Sequence, residues 1–348
     1  MSAETPGPVA ATPAAGPGPV VVMGAGSVGC FIGGRLLSAG VDVHFVGRPR
    51  VLGALREHGL TVTDLDGGRS HAAAGTLHLH AALTAQACKP ALVLLCVKSG
   101  ATAQAAAQLA AALPAGTPVL SLQNGVANAE VGTATAPTLT WLAGMVPYNI
   151  AELGPGHFHR GTTGALAAQD HTALRPWLPV FLAAGLRLKL YADLRPVQWG
   201  KLLLNLNNPV NALSGLPLRA ELLDRDCRRV FAALQQEALA ALQAAGIIPA
   251  QMTALAPERL PLVLKLPNWL FTRVAARMLR IDEKARSSMA DDLALGRPTE
   301  VDAICGAVVR LAQAHNLRAP RCAKMVELLS VAKPQPLGGR VLRRQLGL

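Results

Sequence analysis

Short apolar runs alternate with alanine-rich stretches from residue 20 to about residue 192. The runs contain valine, leucine and phenylalanine, which is typical of buried strands, whereas the stretches between them have the composition of helices. Strands that alternate with helices indicate a mostly parallel sheet covered on both faces. The predicted strands are Val20–Met23, Val41–Val46, Thr61–Thr63, Leu77–His80, Leu92–Val97, Val119–Leu122, Trp141–Val146, Gly156–Arg160, Gly164–Ala168 and Leu186–Tyr191.

The pattern changes near Asp193, and from there to Leu329 almost every segment has a helical pattern. Proline and glycine mark the joints between segments. The sequence therefore predicts an all-helical second part. The helices are expected at Leu194–Asn208, Arg219–Ala245, Pro257–Leu279, Glu283–Ala294 and Glu300–Asn316.

A glycine motif, Gly24-x-Gly26-x-x-Gly29, follows the first predicted strand directly and opens a helix. Here Gly24 allows a tight turn, Gly26 leaves room for a pyrophosphate at the helix N-terminus, and Gly29 permits close packing of helix on strand. A turn without a ligand is the alternative, but the motif's position favours a Rossmann-type dinucleotide site. The residues expected to hold the pyrophosphate are Gly24, Ala25, Gly26, Ser27, Val28 and Gly29.

The predicted fold class is therefore α/β, with an N-terminal Rossmann-type dinucleotide-binding domain followed by an all-helical C-terminal domain. The first domain is expected to span residues 20–192 and the second residues 193–330, with the active site in the cleft between them. Residues 1–19 are rich in proline, alanine and glycine and are expected to form a disordered tail. Residues 331–348 contain an arginine cluster and are expected to form a basic C-terminal tail.

The second strand indicates which dinucleotide binds. An NAD site usually has an acidic residue at the end of this strand, which bonds the ribose 2′-hydroxyl. Here the strand ends in Phe-Val-Gly followed by Arg48, Pro49 and Arg50, with no acid in reach. Because a guanidinium suits a 2′-phosphate, the sequence favours NADP(H) over NAD, with Arg48 the preferred contact.

Two further polar positions follow predicted strands. Lys98 stands at the end of the apolar run Leu92–Val97, and Asn124 follows Val119–Leu122 within a Gln-Asn-Gly sequence. Ligands of open parallel sheets lie just beyond the carboxyl ends of the strands. Lys98 is therefore expected to meet the cofactor or an anionic substrate. Asn124 has either a functional role at the same edge or a simple role in a turn.

The helical part carries polar residues on otherwise apolar segments. Lys201, Asn205 and Asn208 are spaced to lie on one face of a single helix. Ser288 precedes Glu300 by twelve residues, and Glu300 lies near a predicted helix N-terminus, where the helix dipole stabilises a carboxylate. A polar face on an apolar helix is expected to meet either water or a ligand.

Composition excludes several classes of protein. The chain is 51% apolar and 16% charged, so it can bury large cores. Its net charge of +12 suggests a nucleic-acid partner, but the basic residues are dispersed and aromatics make up only 3% of the chain. A basic surface that attracts small anions is therefore preferred. No apolar run approaches a membrane span and no signal peptide is apparent, so a cytoplasmic location is expected.

Cysteine and histidine do not predict a metal site. The six cysteines are scattered without a CxxC pair, so neither a disulfide framework nor a zinc motif is expected. His78 and His80, and likewise His157 and His159, lie two apart on strand-like segments and would face the same side. Since neither pair has a third ligand nearby in sequence, no metal is predicted.

Together these residues resemble the ketopantoate reductase (2-dehydropantoate 2-reductase) family over about residues 20–329. The shared pattern comprises the glycine turn, Lys98, the Asn124-Gly125 pair 26 residues later, a Lys–Asn helix, and Ser288 twelve residues before Glu300. One departure is that the family's second helix asparagine usually lies eight residues after the lysine, where this chain has Pro209. Asn208 is the preferred replacement, with Asn207 and Asn211 as the alternatives.

The resemblance implies NADPH-dependent reduction of 2-dehydropantoate to pantoate, in the biosynthesis of pantothenate and coenzyme A. It implies that Lys201 is the general acid and that Glu300 orients the substrate hydroxyl. Asn205, Asn208 and Ser288 are then expected to hold the substrate, and Asn124 to bridge substrate and cofactor. The alternatives are a reductase of the same fold that acts on another 2-oxo acid or carbonyl, and a non-catalytic NADP sensor.

The expected partners are a small-molecule 2-oxo acid and NADP(H), without nucleic acid or membrane. Related folds occur as monomers and dimers, so a homodimer is compatible with the resemblance.

Overall fold

The structure is a computed structural model, and it describes residues 16–85, 87–276, 278–279, 282–283, 285–331 and 335–348. Most of the predicted N-terminal tail therefore lies outside the described residues. Contacts divide the chain into two units. The first comprises the described chain up to Gln123 together with Asn128–Asp193, and the second comprises Asn124–Ala127 and Leu194–Leu348.

Twelve strands form two sheets within the described part of the first unit. In chain order they are β1 (Val20–Met23), β2 (Val43–Val46), β3 (Leu60–Asp64), β4 (Arg69–Ala72), β5 (His78–His80), β6 (Leu92–Leu95), β7 (Pro118–Ser121), β8 (Thr140–Met145), β9 (Ile150–Gly154), β10 (His157–Arg160), β11 (Leu166–Gln169) and β12 (Leu188–Tyr191).

The larger sheet has eight strands in the order β12-β11-β8-β7-β6-β1-β2-β5. The strands from β8 to β5 are parallel, and β11 pairs antiparallel with β8. All four residues of both β1 and β6 are buried, because elements cover both faces of the sheet. The predicted α/β class with a mostly parallel sheet is confirmed.

The smaller sheet corrects one feature of the predicted topology. The runs predicted at Thr61–Thr63 and Gly156–Arg160 do not join the parallel sheet but lie in a four-stranded sheet with the order β4-β3-β10-β9. In β3 and β10 buried positions alternate with partly exposed ones, as in a sheet with one covered face. That face packs against the first helix of the chain, on which a Cβ at Gly34 would lie 2.8 Å from Val62 Cγ1.

Five α-helices are described in the first unit. They separate the strands as the alternating pattern predicts, and their apolar residues form two clusters, one on each face of the larger sheet. The helices are α1 (Ser27–Ser38), α2 (Pro49–His58), α3 (Thr102–Ala112), α4 (Asn128–Thr135) and α5 (Leu178–Ala183), with short 3₁₀ turns at Ala74–Thr76, Ser99–Ala101 and Thr172–Trp177.

The second unit is helical around one apolar core. The predicted helices are present but shorter, because capping residues and prolines divide them. Its described helices are α6 (Arg195–Asn205), α7 (Asn207–Ser214), α8 (Leu218–Leu223), α9 (Arg225–Ala244), α10 (Leu260–Leu264), α11 (Asn268–Val274), α12 (Ser288–Ala294), α13 (Ala307–Ala314), α14 (Pro320–Leu329) and α15 (Gly339–Gln345), and a π-helical segment spans Asp302–Gly306.

Each break has a local cause. The expected helix 219–245 divides at Asp224, whose carboxylate accepts from the backbone N–H groups of Asp226 and Cys227 and so starts α9. The expected helix 257–279 divides at Pro267, which is extended and precedes α11. The C-terminal segment, expected as a tail, contains α15, whose Leu342 and Leu346 are buried in the helical core. Among the described residues, no helix has both the length and the hydropathy that a membrane span requires.

Candidate active site

The glycine turn joins β1 to α1 and is shaped by close approaches. Gly24 has φ +111°, and a Cβ there would lie 2.5 Å from the backbone nitrogen of Val97. A Cβ on Gly29 would lie 2.7 Å from Val22 Cγ1. By contrast, a Cβ on Gly26 would have no heavy atom within 4 Å. Gly24 and Gly29 are thus required by the chain's own packing, while Gly26 leaves open space at the N-terminus of α1.

The two arginines after β2 have different surroundings. Arg50 makes a two-pronged ion pair with Glu152 on β9, with both N–O distances 3.0 Å, and this bond raises the pKa of Arg50. Arg48 is exposed and occupies the N-cap position of α2, directly beyond the carboxyl end of β2. Because Arg50 is committed to Glu152, Arg48 is the better candidate for a cofactor phosphate.

A buried polar network supports the loop that carries Lys98. Lys98 is half-buried and precedes the 3₁₀ turn after β6. The Gln123 side-chain amide donates to the Val97 carbonyl oxygen and to Thr102 Oγ1, both at 2.9 Å. Ser121 Oγ in turn donates to Gln123 Oε1 at 2.9 Å. Sequence reasoning gave Gln123 no separate role and missed Thr102, although a polar residue at the end of a buried strand is the signal for such a network.

The second unit brings together three predicted residues that are far apart in sequence. Lys201 Nζ donates to Asn124 Oδ1 at 3.0 Å, and Asn124 Nδ2 donates to Glu300 Oε2 at 2.9 Å. Asn124 therefore bridges the ammonium and the carboxylate through both ends of one amide. It belongs to the second unit although it follows Gln123 directly in the chain.

The environment of Lys201 changes its acidity. Desolvation lowers the pKa of Lys201 from its ordinary value to about 8, and the negative charge of Glu300 opposes this shift. A lysine with such a pKa is mostly protonated at neutral pH and still releases its proton more readily than an exposed lysine. This is the property that a general acid requires.

The asparagines after Lys201 are placed differently from the prediction. Asn205 is the last residue of α6, one turn beyond Lys201, as expected. Asn208 lies on α7 rather than on the same helix, so the predicted single helix face is wrong at this position. Pro209 explains the break, because it has no N–H to donate to the carbonyl of Asn205 four residues earlier.

The alternatives to Asn208 have structural partners. Asn207 Nδ2 donates to Glu221 Oε2 at 2.9 Å. Asn211 is fully buried, donates to the Leu216 carbonyl oxygen and accepts from the Ser287 N–H. Asn208 is half-buried, and its backbone carbonyl oxygen accepts a hydrogen bond from Ser287 Oγ at 3.3 Å. The last bond involves the backbone of Asn208, whereas those of Asn207 and Asn211 engage their side-chain amides, so Asn208 stays the preferred candidate for a substrate amide.

Ser288 is the first residue of α12 and is exposed, whereas its neighbour Ser287 is buried. Ser287 caps the helix, since its Oγ accepts from the Ala290 N–H at 3.1 Å. The structural role at this position thus belongs to Ser287, and Ser288 is left on the surface of the unit. Glu300 is half-buried and lies just before the π-helical segment.

Comparison with known proteins agrees with these features. The model of the family described as "Ketopantoate reductase PanE/ApbA" matches residues 20–172, and the model described as "Ketopantoate reductase PanE/ApbA C terminal" matches residues 193–333. A 2-dehydropantoate 2-reductase of Halobacterium salinarum is 30% identical over 321 residues, which cover 90% of this chain and 98% of that protein. This chain belongs to the ketopantoate reductase family.

Solved structures support the same assignment. A PanE/ApbA family ketopantoate reductase from Ralstonia eutropha has a TM-score of 0.74 and 26% identity, covering 95% of this chain and 100% of its own. A D-mandelate dehydrogenase, solved with NADH and anilino(oxo)acetate, has a TM-score of 0.72 and 17% identity, covering 95% and 99%. The second similarity shows the fold alone. The fold of this chain therefore also occurs in an enzyme whose structure contains NADH and anilino(oxo)acetate.

Proposed function

We propose that this protein reduces 2-dehydropantoate to pantoate with NADPH. The observation that carries the proposal is the bonded series Lys201–Asn124–Glu300, in which an amide holds a desolvated ammonium beside a carboxylate. This arrangement suits reduction of a carbonyl, because the oxygen gains negative charge and needs a proton donor. Family membership supports the substrate, since the curated relative from Halobacterium salinarum is named a 2-dehydropantoate 2-reductase.

The first unit has residues that fit a dinucleotide phosphate. The open space outside Gly26, at the N-terminus of a twelve-residue helix, suits the pyrophosphate. Arg48 is the residue for the 2′-phosphate, and Lys98 offers a second positive charge beyond the same sheet. NADPH supplies the hydride when it is bound.

Lys201 is the proposed proton donor in the second unit. As a hydride adds to the carbonyl carbon, the proton on Lys201 Nζ passes to the carbonyl oxygen, which becomes the hydroxyl of the product. Asn124 accepts a hydrogen bond from Lys201 and so fixes the position of the ammonium. The same amide donates to Glu300 and orients this carboxylate, which would accept from the hydroxyl that the substrate already carries. Asn205, Asn208 and Ser288 are the further polar groups assigned to the substrate.

The test is NADPH oxidation by the purified protein with 2-dehydropantoate, a panel of other 2-oxo acids, and NADH as the control cofactor. We expect kcat/KM above ~10⁴ M⁻¹s⁻¹ for 2-dehydropantoate with NADPH, and much lower values for the other acids. Faster turnover of another 2-oxo acid would show that this acid is the substrate of the same type of reduction. Tight NADPH binding without turnover of any of these acids would contradict the proposal and favour a sensor.

A further inference from the structure

Three histidines and an aspartate lie together at the edge of the eight-stranded sheet, within the first unit. His44 is on β2, and His78 and His80 are on the edge strand β5, where the parallel register pairs His44 with His78. The ring of His44 stacks on His78 with a centroid distance of 4.5 Å and on His80 at 5.2 Å. Asp42 precedes β2. The proposed reduction uses none of these four residues.

Three donor atoms of this cluster have separations that suit one metal ion. Asp42 Oδ1 lies 3.4 Å from His44 Nε2 and 3.6 Å from His78 Nε2. The ligand atoms of Asp42, His44 and His78 all lie within 4.8 Å of one another. In a tetrahedral zinc site with bonds of ~2.0 Å, two ligands are about 3.3 Å apart. The observed distances therefore need only small side-chain adjustments to match such a site.

His80 supports the inner nitrogen of His44. His44 Nδ1 lies 3.0 Å from His80 Nε2. When His44 donates through Nδ1, its Nε2 carries a lone pair on the side of Asp42. Histidines that bind metals are commonly oriented in this way by a hydrogen bond from the other ring nitrogen.

Burial gives the cluster a fixed base and an open side. The His44 side chain is 8% exposed, whereas those of Asp42 and His78 are 50% and 56% exposed. An ion could thus enter from solvent, and water could complete its coordination. The sequence did not predict this set because Asp42 and His44 lie far from His78 in the chain, and the pairing of β2 with β5 brings them together.

We propose that Asp42, His44 and His78 bind one divalent transition-metal ion, with His80 as the hydrogen-bonded support of His44. Two imidazoles and a carboxylate suit Zn²⁺ and its neighbours better than Mg²⁺ or Ca²⁺, which prefer oxygen ligands alone. The ion would link the three-residue edge strand β5 to β2. Its role is therefore structural, and it is separate from the proposed reduction.

Zinc titration of the full-length protein by calorimetry tests this site. We expect one Zn²⁺ per chain, with binding weakened by about 100-fold in His78→Ala and in Asp42→Asn, since each variant removes a ligand. Both side chains are half-exposed, so these variants are expected to fold. The double variant His157→Ala/His159→Ala is the matched control, because it removes the other pair of histidines two residues apart, on β10 of the smaller sheet.

Thermal unfolding gives a second measurement. Saturating Zn²⁺ should raise the Tm of the wild type and of the control variant by roughly 5 °C, and should leave the Tm of His78→Ala unchanged. The site is refuted if the wild type binds no stoichiometric Zn²⁺, or if His78→Ala and the control variant lose affinity equally. In the latter case the ion binds surface histidines in general.

Discussion

In the proposed reduction, Lys201 is the residue whose acidity decides how the rate responds to pH. Only the ammonium form can donate a proton, and the pKa of Lys201 is about 8. We therefore expect kcat/KM for reduction to fall as the pH rises through about 8, while the reverse oxidation should rise through the same range because it needs the neutral amine. Initial rates in both directions, measured from about pH 6 to about pH 10, would give the two profiles.

Substitution of Lys201 separates its proton transfer from binding. Lys201→Ala should lower kcat by ~10²-fold or more and leave NADPH affinity nearly unchanged, since the proposed role of the lysine is to protonate the carbonyl oxygen. Glu300→Gln should instead move the alkaline limb to lower pH, because the charge of Glu300 raises the pKa of Lys201. Wild-type kcat in Lys201→Ala, or an alkaline limb that does not move in Glu300→Gln, would contradict these roles.

Arg48 and Arg50 form a natural pair for testing cofactor choice. Both follow β2, but Arg50 is bound to Glu152 and Arg48 is exposed. Arg48→Ala should weaken NADPH about tenfold or more and leave NADH affinity almost unchanged, because only NADPH carries the 2′-phosphate. Arg50→Ala is the matched control and should alter neither. Kd values for both cofactors, measured by fluorescence titration, decide the matter, and equal losses for both cofactors in Arg48→Ala would remove it from the phosphate site.

At the scale of elements, the buried strands were predictable and the smaller sheet was not. Short continuous apolar runs such as Leu92–Leu95 are typical of strands covered on both faces, which is why they were assigned to the central sheet. β3 and β10 alternate apolar with polar residues, and short alternating segments do not reveal which strands they pair with. β4 contains Arg69, Ser70 and His71 and was missed, since three of its four residues are polar.

The candidate site likewise has one part that the sequence predicts and one part that needs the structure. The glycine turn is local, so its spacing and the preceding strand were sufficient to predict it. The triad of Asn124, Lys201 and Glu300 has members 77 and 176 residues apart, and no spacing rule links such distant positions. The resemblance to the family indicated these residues, and the structure supplied their hydrogen bonds. The break between α6 and α7 was readable from Pro209, although the helical pattern continues across it.

For the molecule as a whole, net charge affects the attraction of ligands, whereas the burial of charged groups affects stability. The net charge of +12 favours the approach of an anionic cofactor and of the proposed 2-oxo acid substrate, and salt should weaken this attraction. Stability responds instead to the few charged groups that folding buries. Glu221 has no exposed surface, and within the described structure its Oε1 has no hydrogen-bond partner.

Glu221 should make stability fall as the pH rises. Burial raises its pKa to about 8 from an ordinary value near 4.5, with Asp224 adding to the shift and Asn207 and Arg228 opposing it. Below the ordinary pKa both the folded and the unfolded chain hold the proton. Between the two values only the folded chain keeps it, so the free energy of unfolding decreases by up to about 1.4 kcal/mol per pH unit, and the loss is complete above the folded pKa.

Glu221→Gln tests this contribution, because glutamine is neutral at every pH and can still accept the hydrogen bond from Asn207. Between the ordinary pKa of glutamate and the folded pKa of about 8, the free energy of unfolding should fall less steeply in the variant than in the wild type. The Tm of the variant should therefore exceed that of the wild type most clearly at the alkaline end of this range. Urea unfolding of both proteins at several pH values measures the difference, and subtraction removes the effect of every other titrating group. Parallel curves for the two proteins would mean that Glu221 is ionised in the folded state, and that the buried carboxylate is stabilised by Asn207 and Arg228 after all.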